Sequence, residues 1–238
     1  TTVLAAHGVA RHVRDEAADR CLRVIDATCP LVSKVHAEAR RFARGGYDIV
    51  LVGHRDHEEV QGTLGEVPGI RLVEGPDDVE SVEVGDPERV AFLTQTTLAT
   101  DEVADTVERL RRRFPSLTGP AAADICYATQ NRQEAVRALA GECDVMIVVG
   151  SANSSNSNRL VEVAERSGCP ARLVDDWSEL DLGWLAGAAT VGVTAGASAP
   201  ADAVTDVVGA LAGLGPVDVL ERRVATEDVA FALPGEVR

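Results

Sequence analysis

Asp124-Ile-Cys-Tyr-Ala-Thr-Gln-Asn-Arg-Gln133 places one thiol, Cys126, at what reads as the start of a helix. Upstream lies a relative of it, Asp26-Ala-Thr-Cys-Pro30, which carries Cys29. Each cysteine precedes an amphipathic helical pattern, then an apolar run ending in glycine: Ile49-Val-Leu-Val-Gly53 and Met146-Ile-Val-Val-Gly150. The two cysteines stand 97 positions apart, and so do the two glycines. Unrelated segments rarely hold one offset through thiol, helix and strand. The chain therefore reads as an internal duplication with its two thiols in equivalent places. Cys29 to His57 and Cys126 to Ser154 both span 28 positions, so the repeats also present matching loops.

Working outward, apolar runs alternate with helical patterns along most of the chain. Short strands are predicted at residues 3–6, 21–25, 49–52, 70–73, 90–93, 145–149, 171–174 and 190–193. Helices are predicted over residues 30–44, 101–114, 133–140, 160–166 and 201–211, with Pro30 in a first turn and Thr100 as a cap. Shorter helical turns are expected near Asp77-Asp78 and within residues 176–185. The continuous apolar character of residues 49–52 suits a strand covered on both faces. Strands alternating with helices imply parallel sheets. Residues 53–63 and 151–158 read as polar loops. In the tail, residues 217–220 and 229–233 alternate as edge or hairpin strands would.

The 238 residues suffice for one large domain or two to three small ones. Only 3% are aromatic, so the core must be built of Val, Leu, Ile and Ala. A net charge of −15 argues against nucleic acid as a main partner, whose binding surfaces are usually basic. It leaves room for a small anion in a locally favourable pocket. No apolar run approaches the roughly 20 residues of a membrane span, and no secretory signal is visible. Five cysteines without any Cys-x-x-Cys pair suggest thiols or metal ligands in a reducing, cytoplasmic setting rather than a disulfide framework. The chain opens Thr-Thr rather than Met, as a processed or trimmed piece would.

In open parallel sheets, ligands bind beyond the carboxyl ends of the strands. Those ends carry His7, Cys29, His57, Glu59, Thr96, Thr97, Cys126, Ser154, Ser155, Asn156 and Ser198. In Ser151-Ala-Asn-Ser-Ser-Asn-Ser-Asn158, seven of eight residues carry a hydroxyl or an amide. Placed at a helix N-terminus, they form a neutral cradle for phosphate or diphosphate, or else an over-capped helix start. His57 with Glu59 reads as an anion ligand beside a proton donor, or as a solvated polar loop. Thr94-Gln-Thr-Thr97 reads as a ligand for a hydroxyl or as a capping cluster. Cys21, Cys143 and Cys169 lie in or beside core elements and are assigned to packing. Arg111-Arg-Arg113 reads as a solvated helix end favoured by the macrodipole, or as a docking patch for an acidic electron carrier.

Seven ordered motifs now resemble a known family. They are Ala6-His-Gly-Val9, Asp26-Ala-Thr-Cys-Pro30, residues 53–62, Thr94-Gln-Thr-Thr97, Asp124 to Gln133, residues 148–160 and Gly192-Val-Thr-Ala-Gly-Ala-Ser-Ala-Pro200. Together they resemble hydroxymethylbutenyl diphosphate reductase, the iron–sulfur enzyme that ends the methylerythritol phosphate route to isoprenoids. The resemblance implies an α/β trefoil of three small parallel-sheet domains around a central site. Residues 1–28 would be the remnant of an incomplete first domain, 29–121 the second and 122–200 the third. Residues 201–238 would return to the first as a helix and strands.

The resemblance further implies a [4Fe-4S] cluster on three thiolates, of which Cys29 and Cys126 match two. The third belongs to a Gly-Phe-Cys-Ala-Gly-Val type motif that these residues do not contain. His7, His57, Ser154, Ser155, Asn156 and Ser198 match contacts to a small-molecule diphosphate substrate, and Thr97 stands beside them. Glu59 matches a proton-relay acid, and Thr96 a group near the substrate hydroxyl. The implied reaction uses two electrons and two protons to remove an allylic hydroxyl as water, giving isopentenyl and dimethylallyl diphosphate. A ferredoxin or flavodoxin type donor is implied, with neither nucleic acid nor membrane as partner. Two other readings share these residues: a cluster-free protein that binds isoprenoid diphosphates, and one half of a split enzyme.

Overall fold

A computed structural model describes residues 1–120 and 124–237. Its backbone divides into two compact units. The first comprises Thr1–Cys126 with Val229–Arg238, and the second Tyr127–Asp228.

The first unit opens with β1 (Thr2–Leu4), α1 (Arg11–Asp19) and β2 (Val24–Asp26). β1 and β2 pair in parallel, Leu4 opposite Asp26. Then follow α2 (Pro30–Arg44), β3 (Asp48–Val52), α3 (Glu58–Leu64), β4 (Arg71–Val73), β5 (Val90–Thr94) and α4 (Thr100–Arg113). The sheet order is β4-β3-β5, all parallel. Alternate residues of β3 enter two cores. Ile49 and Leu51 pack with Val35, Ala39 and Phe42 of α2 and Val60 of α3. Val50 and Val52 pack with Val79, Leu98, Leu110 and Phe114. Coverage on both faces is why this strand is uninterruptedly apolar.

The second unit repeats the plan. α5 (Tyr127–Ala140) leads into β6 (Val145–Val149), α6 (Ser155–Arg166), β7 (Ala171–Val174), β8 (Val191–Ala195) and α7 (Ala201–Ala212). Its sheet is parallel with the order β7-β6-β8. Met146 and Val148 face a core with Val136 and Leu160, and Ile147 and Val149 face another with Val207. The central strands β3 and β6 keep the 97-residue offset at both ends.

Several sequence-based expectations need correction. The polar loop predicted over residues 53–63 contains α3, a helix whose first turn holds Glu58 and Glu59. Its cap is His57, whose ring nitrogen accepts the Glu59 N–H, and histidine is not among the usual capping residues. Thr100 is the first residue of α4 rather than its cap; Ala99 precedes the helix with no side-chain bond. α5 begins at Tyr127, directly after Cys126 as the opening motif reads, and six residues before the helix start predicted at residue 133. The tail segments 217–220 and 229–233 form no strands. Alternation supplies two faces, but a strand also needs a ladder partner, and the sheet nearest the returning tail has strands of only three residues. Cys21 is exposed, at φ 53° in the turn after α1, and is no core residue. Arg112 pairs with Glu108, and Arg113 donates to the carbonyls of Val79 and Val82, as a helix end anchored to its own unit would.

Candidate active site

Glu59 lies on the first turn of α3 and is 1% exposed. Its carboxyl accepts the Thr96 N–H at 2.6 Å and the Thr96 hydroxyl at 2.8 Å. Burial raises its pKa from 4.5 to about 7, against the two Thr96 bonds and the charge of His7. The Thr96 carbonyl in turn accepts the Cys126 N–H at 2.9 Å. Acid, hydroxyl and thiol-bearing residue are thus joined by consecutive hydrogen bonds beyond the end of β5.

His57 caps α3 through Nδ1, which accepts the Glu59 N–H at 3.2 Å. The proton of the neutral ring therefore sits on Nε2. Burial first, then the charges of His7 and His54, lowers its pKa from 6.5 to about 4. His57 is a neutral donor at pH 7. The His7 ring meets it edge-on, with centroids 5.4 Å apart, and Glu58 takes the other side of His7 at 3.0 Å. The turn after His7 requires Gly8: its φ is +76°, and a Cβ there would lie 2.7 Å from the His36 ring.

Cys29 occupies the N-cap of α2, makes no side-chain cap bond and donates its N–H to the Ala6 carbonyl at 2.9 Å. That bond sets Cys29 beside the loop of His7. Both Cys29 and Cys126 are partly exposed. Asp124 couples their two segments. Its side chain is fully buried, with one oxygen on the Lys34 ammonium at 3.0 Å and the other on the Thr94 N–H at 3.2 Å. Lys34 belongs to the first turns of the helix that Cys29 caps. Burial raises the Asp124 pKa, and the Lys34 and Thr94 bonds oppose it. Two partly exposed, backbone-anchored thiols beside a buried acid suit soft iron, so the residues present fit part of an iron–sulfur ligand set. Cys21 lies at the opposite end of β2 from Cys29, and Cys143 and Cys169 belong to the packing of the second unit.

Within the second unit, Ser154 caps α6, its hydroxyl accepting the Ser157 N–H at 3.3 Å. Asn156 is 5% exposed, yet neither its amide nitrogen nor its oxygen has a hydrogen-bond partner. A buried amide left in that condition costs free energy unless a ligand answers it. The α6 start also faces the loop after β8. A Cβ on Gly196 would fall 2.1 Å from the Ser157 hydroxyl and 3.7 Å from the Asn156 nitrogen, so only glycine lets the two loops meet. Ser198, exposed, follows on that loop.

Each unit thus gathers its own share of the expected residues: His7, Cys29, His57, Glu59, Thr96 and Cys126 in one, Ser154, Ser155, Asn156 and Ser198 in the other. Thr97 is turned to Gln95, whose amide donates to its hydroxyl at 2.7 Å. Sequence reading missed Glu58, Lys34, Asp124 as a brace, and Gln95, which ties the His54 N–H to the Thr97 loop. Asp124 opens the decisive motif, and an acid next to a candidate ligand was the available signal.

A family model described as LytB protein matches residues 1–212. The 4-hydroxy-3-methylbut-2-enyl diphosphate reductase of Acidothermus cellulolyticus is 59% identical over 99% of this chain and 70% of its own length. 4-hydroxy-3-methylbut-2-enyl diphosphate reductase 2 of Mycobacterium bovis is 53% identical over 99% of this chain and 72% of its own. Among solved structures, the E-1-hydroxy-2-methyl-but-2-enyl-4-diphosphate reductase of Plasmodium falciparum superposes with a TM-score of 0.92 at 34% identity. That match covers 98% of this chain and 74% of the other. Duplicated parallel sheets, the hydrogen bonds that run from Glu59 through Thr96 to the Cys126 N–H, and these likenesses agree, and the chain belongs to the LytB protein family.

Proposed function

We propose that this chain carries out the reductive dehydroxylation of 4-hydroxy-3-methylbut-2-enyl diphosphate to isopentenyl and dimethylallyl diphosphate. Relatives that share half or more of its residues over 99% of its length are reductases of that name. The observation that carries the reading is the Glu59–Thr96–Cys126 chain of hydrogen bonds. It joins a carboxyl whose pKa burial raises to about 7 to the Thr96 hydroxyl and, through the Thr96 carbonyl, to the backbone of Cys126.

In this reading His7 and His57 are the diphosphate donors of the first unit, and Ser154, Ser155, Asn156 and Ser198 are the anion donors of the second. The α6 N-terminus adds its dipole. Asn156 supplies the one buried amide still lacking a partner among those groups. Glu59, close to half protonated at pH 7, hands a proton to the leaving hydroxyl, which departs as water, and Thr96 orients both. Cys29 and Cys126 would hold two positions of a [4Fe-4S] cluster. When bound, such a cluster would supply the electrons for the reduction. The electrons reach it from a small ferredoxin or flavodoxin type donor. No helix among the described residues is long and apolar enough to cross a membrane.

The test is anaerobic turnover with a reduced viologen dye as electron source. The reading expects viologen oxidation to depend on the substrate, with Glu59→Gln slower by roughly 10²- to 10⁴-fold, the usual range for a positioned acid. Undiminished turnover in Glu59→Gln would remove the acid from the mechanism.

A further inference from the structure

Two histidines stand together in the first unit with opposite hydrogen-bonding states. His57 uses Nδ1 as an acceptor from the Glu59 N–H, so its neutral ring already carries a proton on Nε2. His7 sets Nδ1 at 3.0 Å from Glu58 Oε2. An ionised carboxylate only accepts, so the proton there belongs to His7 Nδ1. The nitrogen of His7 left over is Nε2, which in the neutral ring is a lone pair and repels an anion. The groups facing His7 are Glu58, the His57 ring edge-on, and Glu59, whose carboxyl feels the His7 charge.

We infer that Glu58 is a positioning residue of the diphosphate site. It holds His7 Nδ1–H, so that His7 meets the anion through Nε2 and gathers a proton as it does so. The inference rests on the reading that His7 and His57 contact a diphosphate. It divides their labour: His57 donates as it stands, and His7 donates only as an imidazolium whose second proton faces Glu58. Both side chains of the pair are about half exposed or more, so the contact contributes little to folding. Its consequence is which atom of His7 is presented, and with what charge. Glu58 immediately precedes Glu59 on the same turn of α3, so one helix start places both the proton donor and the carboxylate that orients the neighbouring histidine.

Calorimetry of dimethylallyl diphosphate with the full chain, at mildly alkaline pH, tests this. Repeating it in buffers of different ionisation enthalpy counts the protons exchanged. The parent chain takes up a proton on binding. Glu58→Gln loses most of that uptake and binds roughly two- to fivefold more weakly, the scale of one exposed charge pair. His7→Asn loses the uptake entirely. Nitrogen-15 spectra of the His7 ring show Nδ1–H in the neutral parent and a shift toward Nε2–H in Glu58→Gln. In turnover, KM rises by more than kcat falls. Equal proton uptake and an unchanged tautomer in Glu58→Gln would overturn the assignment of Glu58, leaving the functional reading in place. Absence of any diphosphate binding by the parent would overturn the functional reading and this inference with it.

Discussion

Glu59 is raised toward neutrality because burial removes water from its charged form, and no cation among the described residues is bonded to it; Thr96 compensates only in part. The sign of the stability effect follows. With a folded pKa near 7 and an unfolded value of 4.5, the fold favours the neutral carboxyl. Its contribution is fully present below pH 4.5 and is lost as pH rises through 7. Relative to the parent, Glu59→Gln should therefore gain roughly 2 to 3 kcal/mol between about pH 5 and pH 8. Urea titrations at the two pH values measure it, and a gain independent of pH would contradict the assignment. His57 runs the other way. Its folded pKa lies below the unfolded one, so its contribution is present above 6.5 and is lost as pH falls toward 4. Glu59, Cys126 and His57 were legible from their motifs. Glu58 and Lys34 were not, because their partners lie 51 and 90 residues away in sequence, and only the folded chain pairs them.

At the scale of elements, two helix starts do the positioning. α6 buries an amide without a partner, an arrangement costly to the free protein and useful to an anion site. Asn156→Leu should raise the thermal midpoint, by relieving an unmet amide worth about 1 to 3 kcal/mol, while weakening diphosphate binding. A thermal scan and a calorimetric titration read both, and a variant that loses stability without losing affinity would place Asn156 in packing alone. α2 carries Cys29 at its cap and Lys34 in its second turn, and Lys34 neutralises a fully buried Asp124. Lys34→Met should destabilise the fold by roughly 3 to 5 kcal/mol, as breaking buried pairs does. A loss under 1 kcal/mol would mean that the pair is not needed to hold the Cys126 segment. The α6 start was readable from its run of Ser and Asn. The α3 start was hidden, since a histidine caps it through a side-chain nitrogen.

Across the whole molecule, the 97-residue offset maps onto two parallel sheets of like strand order, β4-β3-β5 and β7-β6-β8. The duplication was visible because both central strands must be apolar on two faces and both helices must be apolar on one. The tail was misread because alternation survives where no ladder forms. Of the basic residues at the end of α4, Arg112 pairs with Glu108 and Arg113 donates to the Val79 and Val82 carbonyls, as a helix end anchored within its own unit does. The central claim concerns iron held by two particular thiols. It is tested most directly by iron and acid-labile sulfide content after anaerobic reconstitution, with a small-molecule thiol in excess to stand in for the third thiolate. The account predicts that iron and sulfide bind the parent in matching amounts and are lost in both Cys29→Ser and Cys126→Ser, while Cys169→Ser retains them. Uptake indifferent to Cys29 and Cys126 would contradict it.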